Sequence, residues 1–330
     1  MRLFSAGSRA ESNRLFLSRH KKNVGGRGAA IVLAYAAMTR WRAALGVALA
    51  LAPQAAPQRP LIEDYVRASV TAAPASLGFD PFYKKYVDAL GVPILSSDKV
   101  PDAALLVARD IIIHMLARRP ELRLEMIKKN MRVGVMARSE STTDIPEHRD
   151  RKKPPPGDPR LTEGEKRGYE TGTGIATMSD KEYWDRRARG LGGNPTTCAE
   201  ENLLGYPDTR YYGENIFVHE FSHAIMGIAI RTADPELFEA IQAAYRAAKA
   251  KGLYKGHYAE TNASEYWAEG TQWWFWSNFE WFDGATRLQT PDDLKAYDPT
   301  LYDLLDRVYA DHHIPMDVYY GRNIKPARRP

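Results

Sequence analysis

Apolar side chains recur at every third or fourth position along several stretches of the chain, a spacing that is typical of helices with a buried face. Two of these stretches open on an Asp-Pro pair, which suits a helix N-terminus. Helices are predicted over residues 101–118, 216–228, 235–252, 262–270 and 298–309. Alternation of apolar and polar positions, typical of strands, is weak and limited to residues 131–137. The pattern predicts an α+β fold that is mainly α-helical, with a small β-sheet.

Two stretches depart from this periodicity. Residues 151–159 are charged and then proline-rich, which predicts an exposed loop. The glycine-rich stretch 168–193 predicts irregular backbone, and it lacks the lysine of a phosphate-binding loop. We therefore expect no nucleotide site, and we place a division of the chain at the loop, between residues 60–160 and 161–330.

The N-terminus predicts a location rather than a fold. An apolar run at 43–52 follows Arg40 and Arg42 and precedes small residues, the order found in secretory signal peptides. We assign residues 38–59 to a signal peptide or an uncleaved anchor, and residues 1–37 to a basic extension or a translation mis-start. Each apolar half is shorter than the roughly 18 residues of a membrane span. The protein is expected to be exported (secreted, periplasmic or at the cell surface), with membrane contact only if the leader stays as an anchor.

The charge of the chain supports the same division. A formal charge of +5 and a pI near 9.1 would ordinarily suggest a nucleic-acid partner. Residues 1–60 hold ten Lys and Arg against one acidic residue, whereas the rest holds 36 basic and 40 acidic residues. Because the basic excess belongs to the leader, no nucleic-acid partner is predicted.

The predicted helix at 216–228 carries His219-Glu220-Phe221-Ser222-His223. His219 and His223 lie one helical turn apart on one face, where two imidazoles can bind one zinc ion. Glu220 is one residue further round the helix, so it can reach a metal-bound water without being a ligand. The segment therefore predicts a catalytic zinc site, which needs a third protein ligand.

Glu265, in the next predicted helix, is the candidate for that ligand. Asn262 and Glu265 also fit a capping-box pair, which by itself would explain both residues. Glu269 lies four residues further on and shares a face with Glu265, so it can accept the free ring N–H of a zinc-binding histidine. The residues alone leave the ligand and the cap open for Glu265.

The His-Glu-x-x-His segment followed by Glu265-Tyr266-Trp267-Ala268-Glu269 resembles the gluzincin metallopeptidases, and among them the lethal factor-like catalytic domain, over about residues 211–280. The resemblance implies a zincin-like metallopeptidase domain with a small β-sheet at the edge of its cleft, and Glu265 as the third ligand. It also implies that Tyr258, seven residues before Glu265, assists the tetrahedral intermediate. The continuation after Glu269 departs from lethal factor, and no toxin-like targeting domain is visible, so cleavage of host kinases is not carried over.

These observations predict an exported zinc-dependent metallopeptidase with one Zn²⁺ per chain, which hydrolyses a peptide or protein substrate with a zinc-bound water activated by Glu220. Residues 60–160 would form the N-terminal part of the catalytic unit and residues 161–330 the zincin-like catalytic domain. The alternative is a catalytically silent zinc-containing module that binds carbohydrate or a surface protein through the aromatic stretch 273–282, unless those aromatics only pack. Glu220 favours the enzyme, because only hydrolysis requires this carboxylate.

Overall fold

Residues 68–315 and 318–319 are described by the structure, a computed structural model of the chain. The predicted extension 1–37 and signal peptide 38–59 lie outside these residues. The described part is an α+β fold in which helices outnumber the short strands, as the hydrophobic pattern predicts. Within it, no helix is both long and apolar enough to cross a lipid bilayer.

A five-stranded mixed sheet forms one layer of the fold. Its spatial order equals its sequence order; the first three strands pair antiparallel, whereas β4 pairs in parallel with both β3 and β5. The predicted strand at 131–137 is β4, and every residue of β4 and β5 is buried. The strands are β1 (Thr71–Ala72), β2 (Lys85–Ala89), β3 (Val92–Ser96), β4 (Val133–Met136) and β5 (Thr196–Ala199). Since β5 lies beyond residue 160, both predicted parts of the chain contribute to one sheet.

Two helices connect β3 to β4, because parallel neighbours need a crossover. They are α1 (Asp102–Met115), which confirms the helix predicted at 101–118, and α2 (Pro120–Lys128). Ten of the fourteen residues of α1 are buried, and α1 packs on β2 and β3. This helix therefore covers one face of the sheet.

The segment between β4 and β5 forms a small satellite layer. Residues 151–159 contain no helix or strand, as predicted. The expectation of irregular backbone at 168–193 is wrong in part, because α4 (Asp180–Arg187) lies inside it; α3 is Glu163–Gly168. Ser179 and Glu182 form a capping box that starts α4 in spite of the surrounding glycines. A separate hydrophobic cluster holds the layer together: Leu161, Tyr169, Ile175, Tyr183, Trp184, Ala188 and Leu191.

The C-terminal half is helical and follows the predicted boundaries closely. α5 (Glu200–Leu203) leads to α6 (Ile216–Ala224), which continues through a π-helical segment, Ile225–Ile230, and one further turn. Asn215, Asp234, Asn262 and Asp298 each cap a helix with a side-chain oxygen. The helices and strands that follow are α7 (Pro235–Ala250), α8 (Ala263–Trp274), β6 (Trp281–Phe282), β7 (Arg287–Leu288), α9 (Pro291–Tyr297) and α10 (Pro299–Tyr309).

The aromatic stretch at the end of α8 belongs mostly to the core. Trp273, Trp274 and Phe275 are 0% exposed. Phe279 and Phe282 are the large aromatics of this stretch with substantial exposure, at 36% and 56%. The stretch therefore packs α8 against its neighbours, and the tryptophans at its centre form no surface.

Candidate metal centre

The helices α6 and α8 pack against each other and bring three potential ligands together. His219 and His223 come from α6 and Glu265 from the first turn of α8. One ligand atom from each lies within 4.8 Å of the other two. The Nε2 atoms of His219 and His223 lie 3.1 and 3.3 Å from the same carboxylate oxygen, Glu265 Oε2. The three side chains thus converge on one point.

Glu265 reaches this point because of how α8 begins. The Asn262 side chain accepts hydrogen bonds from the backbone N–H groups of Ser264 and Glu265, at 2.9 and 3.0 Å. This cap fixes the first turn of the helix. The Glu265 carboxylate points to the two histidines. Glu265 therefore fits both interpretations of the sequence: its backbone N–H is capped by Asn262, and its side chain is a candidate metal ligand.

Gln272 sets the orientation of His219, and sequence reasoning missed it. The Gln272 amide nitrogen donates to the carbonyl oxygens of Asn215 and Ser277, at 3.0 and 3.3 Å. The amide oxygen therefore faces His219 Nδ1, 2.9 Å away, and accepts its proton. Burial lowers the pKa of His219 but Glu265 raises it more, so Nε2 faces Glu265 as a donor, in the place that a cation would take. Its position could have indicated this role, because Gln272 lies seven residues after Glu265 on the same face of the helix.

His223 is held in the same way by a different residue. Its Nδ1 lies 2.7 Å from the hydroxyl oxygen of Ser264, a group able to accept the ring proton, and its Nε2 is directed to the centre. Glu269, the predicted partner of a histidine, has its Oε1 atom 3.5 Å from His219 Nδ1. Its Oε2 atom accepts a hydrogen bond from Asn278 at 2.5 Å. Glu269 thus lies beside His219, but Gln272 makes the shorter contact.

The donor set fits a zinc ion. Both histidines have their Nδ1 atoms engaged and direct their Nε2 atoms to the point where a cation would lie, which is the usual arrangement around a metal. Burial raises the pKa of Glu265, but His223 and His219 lower it more, so the carboxyl is ionised. Two neutral imidazoles and one carboxylate are the protein ligands of many catalytic zinc sites, in which a fourth position stays open.

Glu220 and Tyr258 both line the cleft above these ligands. Glu220 follows His219 on α6, and burial raises the pKa of its carboxyl. Tyr258 begins a short 3₁₀ turn, with its ring stacked on that of His219 at a centroid distance of 6.2 Å. Burial also raises the pKa of Tyr258, which keeps its hydroxyl protonated. The structure therefore places a carboxylate and a hydroxyl donor next to the three predicted ligands.

The backbone of residues 190–193 forms a wall of the cleft directly against α6. Leu191 exchanges two backbone hydrogen bonds with Thr197 of β5, at 3.2 and 2.8 Å. A Cβ atom on Gly192 would lie 2.8 Å from His223 Cβ, and one on Gly190 would lie 3.1 Å from Glu220 Cγ. Only glycine permits this approach, so these two positions belong to the site although they carry no side chain.

The ligands, Glu220 and Tyr258 lie in a cleft of about 740 Å³. Its remaining lining comes from the satellite layer, from the loop before α6, and from further residues of α6 and of the start of α8. The volume falls within the range of about 300–1,000 Å³ that small-molecule and peptide sites occupy. The metal centre is thus accessible to a ligand of several residues.

No protein-family model and no curated protein sequence matches the chain. Among solved structures, the chain is similar to the Pro-Pro endopeptidase PPEP-2 from Paenibacillus alvei, with 16% sequence identity and coverage of 65% of this chain and 96% of that chain. The TM-score is 0.40. A likeness of this strength decides neither the fold nor the activity, which rest on the residues and distances described above.

Proposed function

We propose that the protein is an exported zinc metallopeptidase that hydrolyses peptide bonds. The observation that carries this proposal is the convergence of His219 Nε2, His223 Nε2 and Glu265 within 4.8 Å, with Glu220 on the same helix. Gln272 and Ser264 contact the Nδ1 atoms of the two histidines, which directs both Nε2 atoms to the same point, as around a metal. A buried ligand set beside a free carboxylate, open to a cleft, is the arrangement of metal-assisted hydrolysis.

A zinc ion held by His219, His223 and Glu265 would supply Lewis acidity for the scissile carbonyl and for an attacking water. Glu220 accepts the proton of that water and returns it to the leaving amine, a role that its raised pKa suits. Tyr258 donates its hydroxyl hydrogen to the oxygen that becomes negative as the carbonyl is attacked. The glycines at 190 and 192 let this wall of the cleft pack directly against Glu220 and His223.

Export is part of the proposal and is supported by the sequence of residues 38–59. The order of charged, apolar and small residues there matches a cleavable signal. N-terminal sequencing of the protein from the medium or periplasm tests it: a mature chain that begins near residue 59 is expected. Full-length protein retained in the cytoplasm would contradict export and leave the peptidase proposal untouched.

The silent binding module is not proposed. It requires exposed aromatic side chains, and Trp273, Trp274 and Phe275 are fully buried, which leaves Phe279 and Phe282 as the aromatics of the stretch 273–282 with substantial exposure. The half-buried Glu220 carboxylate, which follows His219 on α6 and lines the cleft, has no use in a module that only binds. The geometry therefore favours the enzyme.

Metal content and hydrolysis of a peptide library together test the function. The wild-type chain is expected to bind one zinc and to cleave peptides. Glu220→Gln should retain the zinc and lose kcat by about 10²–10⁴-fold, since it removes a general base but no ligand. Glu265→Ala should lose zinc affinity.

Glu260→Gln provides a matched control for these changes, because Glu260 lies close to Tyr258 in sequence but does not line the cleft. It should leave both zinc and activity unchanged. A wild-type chain that takes up no zinc after reconstitution, or a Glu220→Gln variant with full activity, would refute the peptidase proposal.

A further inference from the structure

The charges that line the cleft are segregated. Four carboxylates lie around the candidate metal centre, and five arginines, with one further carboxylate, Glu165, come from the satellite layer and the loop before α6. The carboxylates are Glu214, Glu220, Glu265 and Glu269. The arginines are Arg151, Arg160, Arg187, Arg189 and Arg210. The side of the cleft around the ligands is therefore mainly acidic, and the wall formed by the satellite layer is mainly basic.

Three of these arginines are neutralised within the protein. Each donates to a carboxylate oxygen at 2.7 to 2.9 Å. The pairs are Arg160 with Asp158, Arg187 with Glu165, and Arg189 with Glu201. These three guanidinium groups support the wall and need no further partner.

The other two arginines have no such partner. Among the residues that the structure describes, no carboxylate lies within 4.0 Å of the guanidinium of Arg151 or Arg210. Arg151 is half-buried, its guanidinium carbon lies 4.6 Å from the centroid of the Trp184 ring, and its Nε atom is buried without a hydrogen-bond partner. Arg210 is exposed, donates to the Arg186 carbonyl at 2.9 Å and lies 5.0 Å from the Tyr211 ring.

A half-buried guanidinium without an acceptor is unfavourable, because burial removes water and nothing replaces its hydrogen bonds. Burial lowers the pKa of Arg151, and nearby Arg160 lowers it further, yet a guanidinium stays charged. The Trp184 ring supports the guanidinium by a cation–π contact, and the terminal N–H groups make no hydrogen bond within the described part of the chain. A carboxylate is the partner that this fork matches with two parallel hydrogen bonds.

We infer, on the basis of the proposed function, that the cleft selects peptides with a carboxylate near the scissile bond, which Arg151 binds while Arg210 adds positive charge at the rim. The carboxylate belongs either to an Asp or Glu side chain or to the C-terminus of the peptide. Both present the same chemistry to Arg151. The acidic residues at the metal centre repel the carboxylate of the peptide, so this carboxylate lies along the arginine wall. The uncharged peptide backbone then lies next to the metal site.

Matched peptides that differ only by Glu or Gln at one position, scanned on both sides of the cleaved bond, test this inference. At one position the full chain should prefer Glu by about ten- to a hundred-fold in kcat/KM, the effect of a charge-assisted hydrogen bond. Arg151→Gln should remove the preference, and Arg151→Lys should keep part of it. Arg246→Gln is the control, because Arg246 is an exposed arginine outside the cleft.

Arg210→Gln provides a second variant in case Arg151→Gln unfolds, which circular dichroism will show. Arg210 is exposed, so its replacement should preserve the fold and lower the preference for Glu by a smaller factor. Peptides with a free or an amidated C-terminus separate the two sources of the carboxylate. If the preference survives amidation, Arg151 binds an Asp or Glu side chain; if amidation abolishes the preference, Arg151 binds the C-terminal carboxylate.

Binding of the same peptides to Glu220→Gln, followed by fluorescence anisotropy, separates this inference from the proposed function. Tighter binding of the Glu peptide without any cleavage by the wild type would refute the peptidase and retain the arginine site. Cleavage with equal rates for Glu and Gln at every position, unchanged in Arg151→Gln and Arg210→Gln, would overturn the arginine site and retain the peptidase.

Discussion

Gln272 joins three separate parts of the molecule through one amide. Its oxygen accepts from His219, and its nitrogen donates to carbonyls at Asn215, where α6 begins, and Ser277, just after α8. A glutamate here would keep the acceptor but lose the two donors, whereas an apolar residue would lose all three bonds. The choice of glutamine follows from the need for both kinds of contact in a buried position.

Gln272→Met is expected to weaken zinc binding by about 10–100-fold, the usual effect of removing a partner that orients a metal ligand. His219 would then be free to carry its proton on Nε2, where the metal must bind. Competition with a chromophoric chelator measures the change in affinity.

Gln289→Met is the matched control for Gln272→Met. Gln289 is 8% exposed and does not line the cleft, so its replacement removes a largely buried amide elsewhere. It should leave zinc affinity at the wild-type value. Equal zinc affinities for Gln272→Met and the wild type would show that the His219 tautomer is set without Gln272.

At the scale of elements, the site depends on how closely the segment 190–193 approaches α6. The segment is held by β5 through Leu191, and α6 is packed on β5 as well. The two are therefore positioned by one strand, and the space between them is fixed. Glycine at 190 and 192 fills that space without a side chain.

Gly192→Ala is expected to displace His223, because its Cβ would lie 2.8 Å from His223 Cβ and 2.9 Å from Cδ2. A shift of a ligand by a fraction of an ångström should lower kcat by about a hundred-fold while the chain stays folded. Steady-state peptide hydrolysis and circular dichroism of the same sample measure both effects.

Gly172→Ala makes the same chemical change in open space, since no heavy atom lies within 4 Å of its new Cβ. It should leave activity unchanged. Wild-type activity in Gly192→Ala would mean that the segment moves away from α6 without consequence for the site.

At the scale of the whole molecule, His148 links stability to pH. It is 3% exposed, its Nε2 atom lies 3.2 Å from the Thr197 hydroxyl of β5, and burial lowers its pKa to about 4. The unfolded chain takes up a proton on this residue below about pH 6.5, where the folded chain does not. Stability from His148 is therefore fully present above pH 6.5 and decreases as the pH falls towards 4.

The free energy of unfolding should decrease by up to about 3 kcal/mol more in the wild type than in His148→Gln between pH 7.5 and pH 4. Urea denaturation at several pH values measures the difference, and the variant cancels contributions from the other histidines. Parallel pH profiles for the two proteins would show that His148 titrates normally in the folded state.

Much of the fold could be predicted from the sequence, because the helices carry their own local signals. Asp234 and Asp298 each precede a proline and cap a helix where expected. The hairpin of β2 and β3 was missed, since its turn at Leu90 and Gly91 depends on two positive φ angles, 54° and 96°, and leaves little pattern in the strands.

The candidate site was predictable to a similar extent. The spacing of His219, Glu220 and His223 is local, so helix geometry alone placed them on one turn. Arg151 and Gln272 were not singled out, because their roles depend on contacts between segments that are far apart in the chain. The sequence indicated only irregular backbone at Gly192, because the close approach of this residue to His223 depends on the tertiary structure and not on a local pattern.

Because of the three hydrogen bonds of Gln272, the spectrum of a metal bound at the proposed site would report on the packing of α6 against α8. If α6 slides or rotates slightly against α8, the Gln272 amide loses its hydrogen bond either to a backbone carbonyl or to His219. The geometry of the ligands then changes as well. A cobalt ion in place of zinc would show this in its visible absorption spectrum. Core substitutions remote from the cleft should then alter that spectrum before any change in thermal unfolding can be detected.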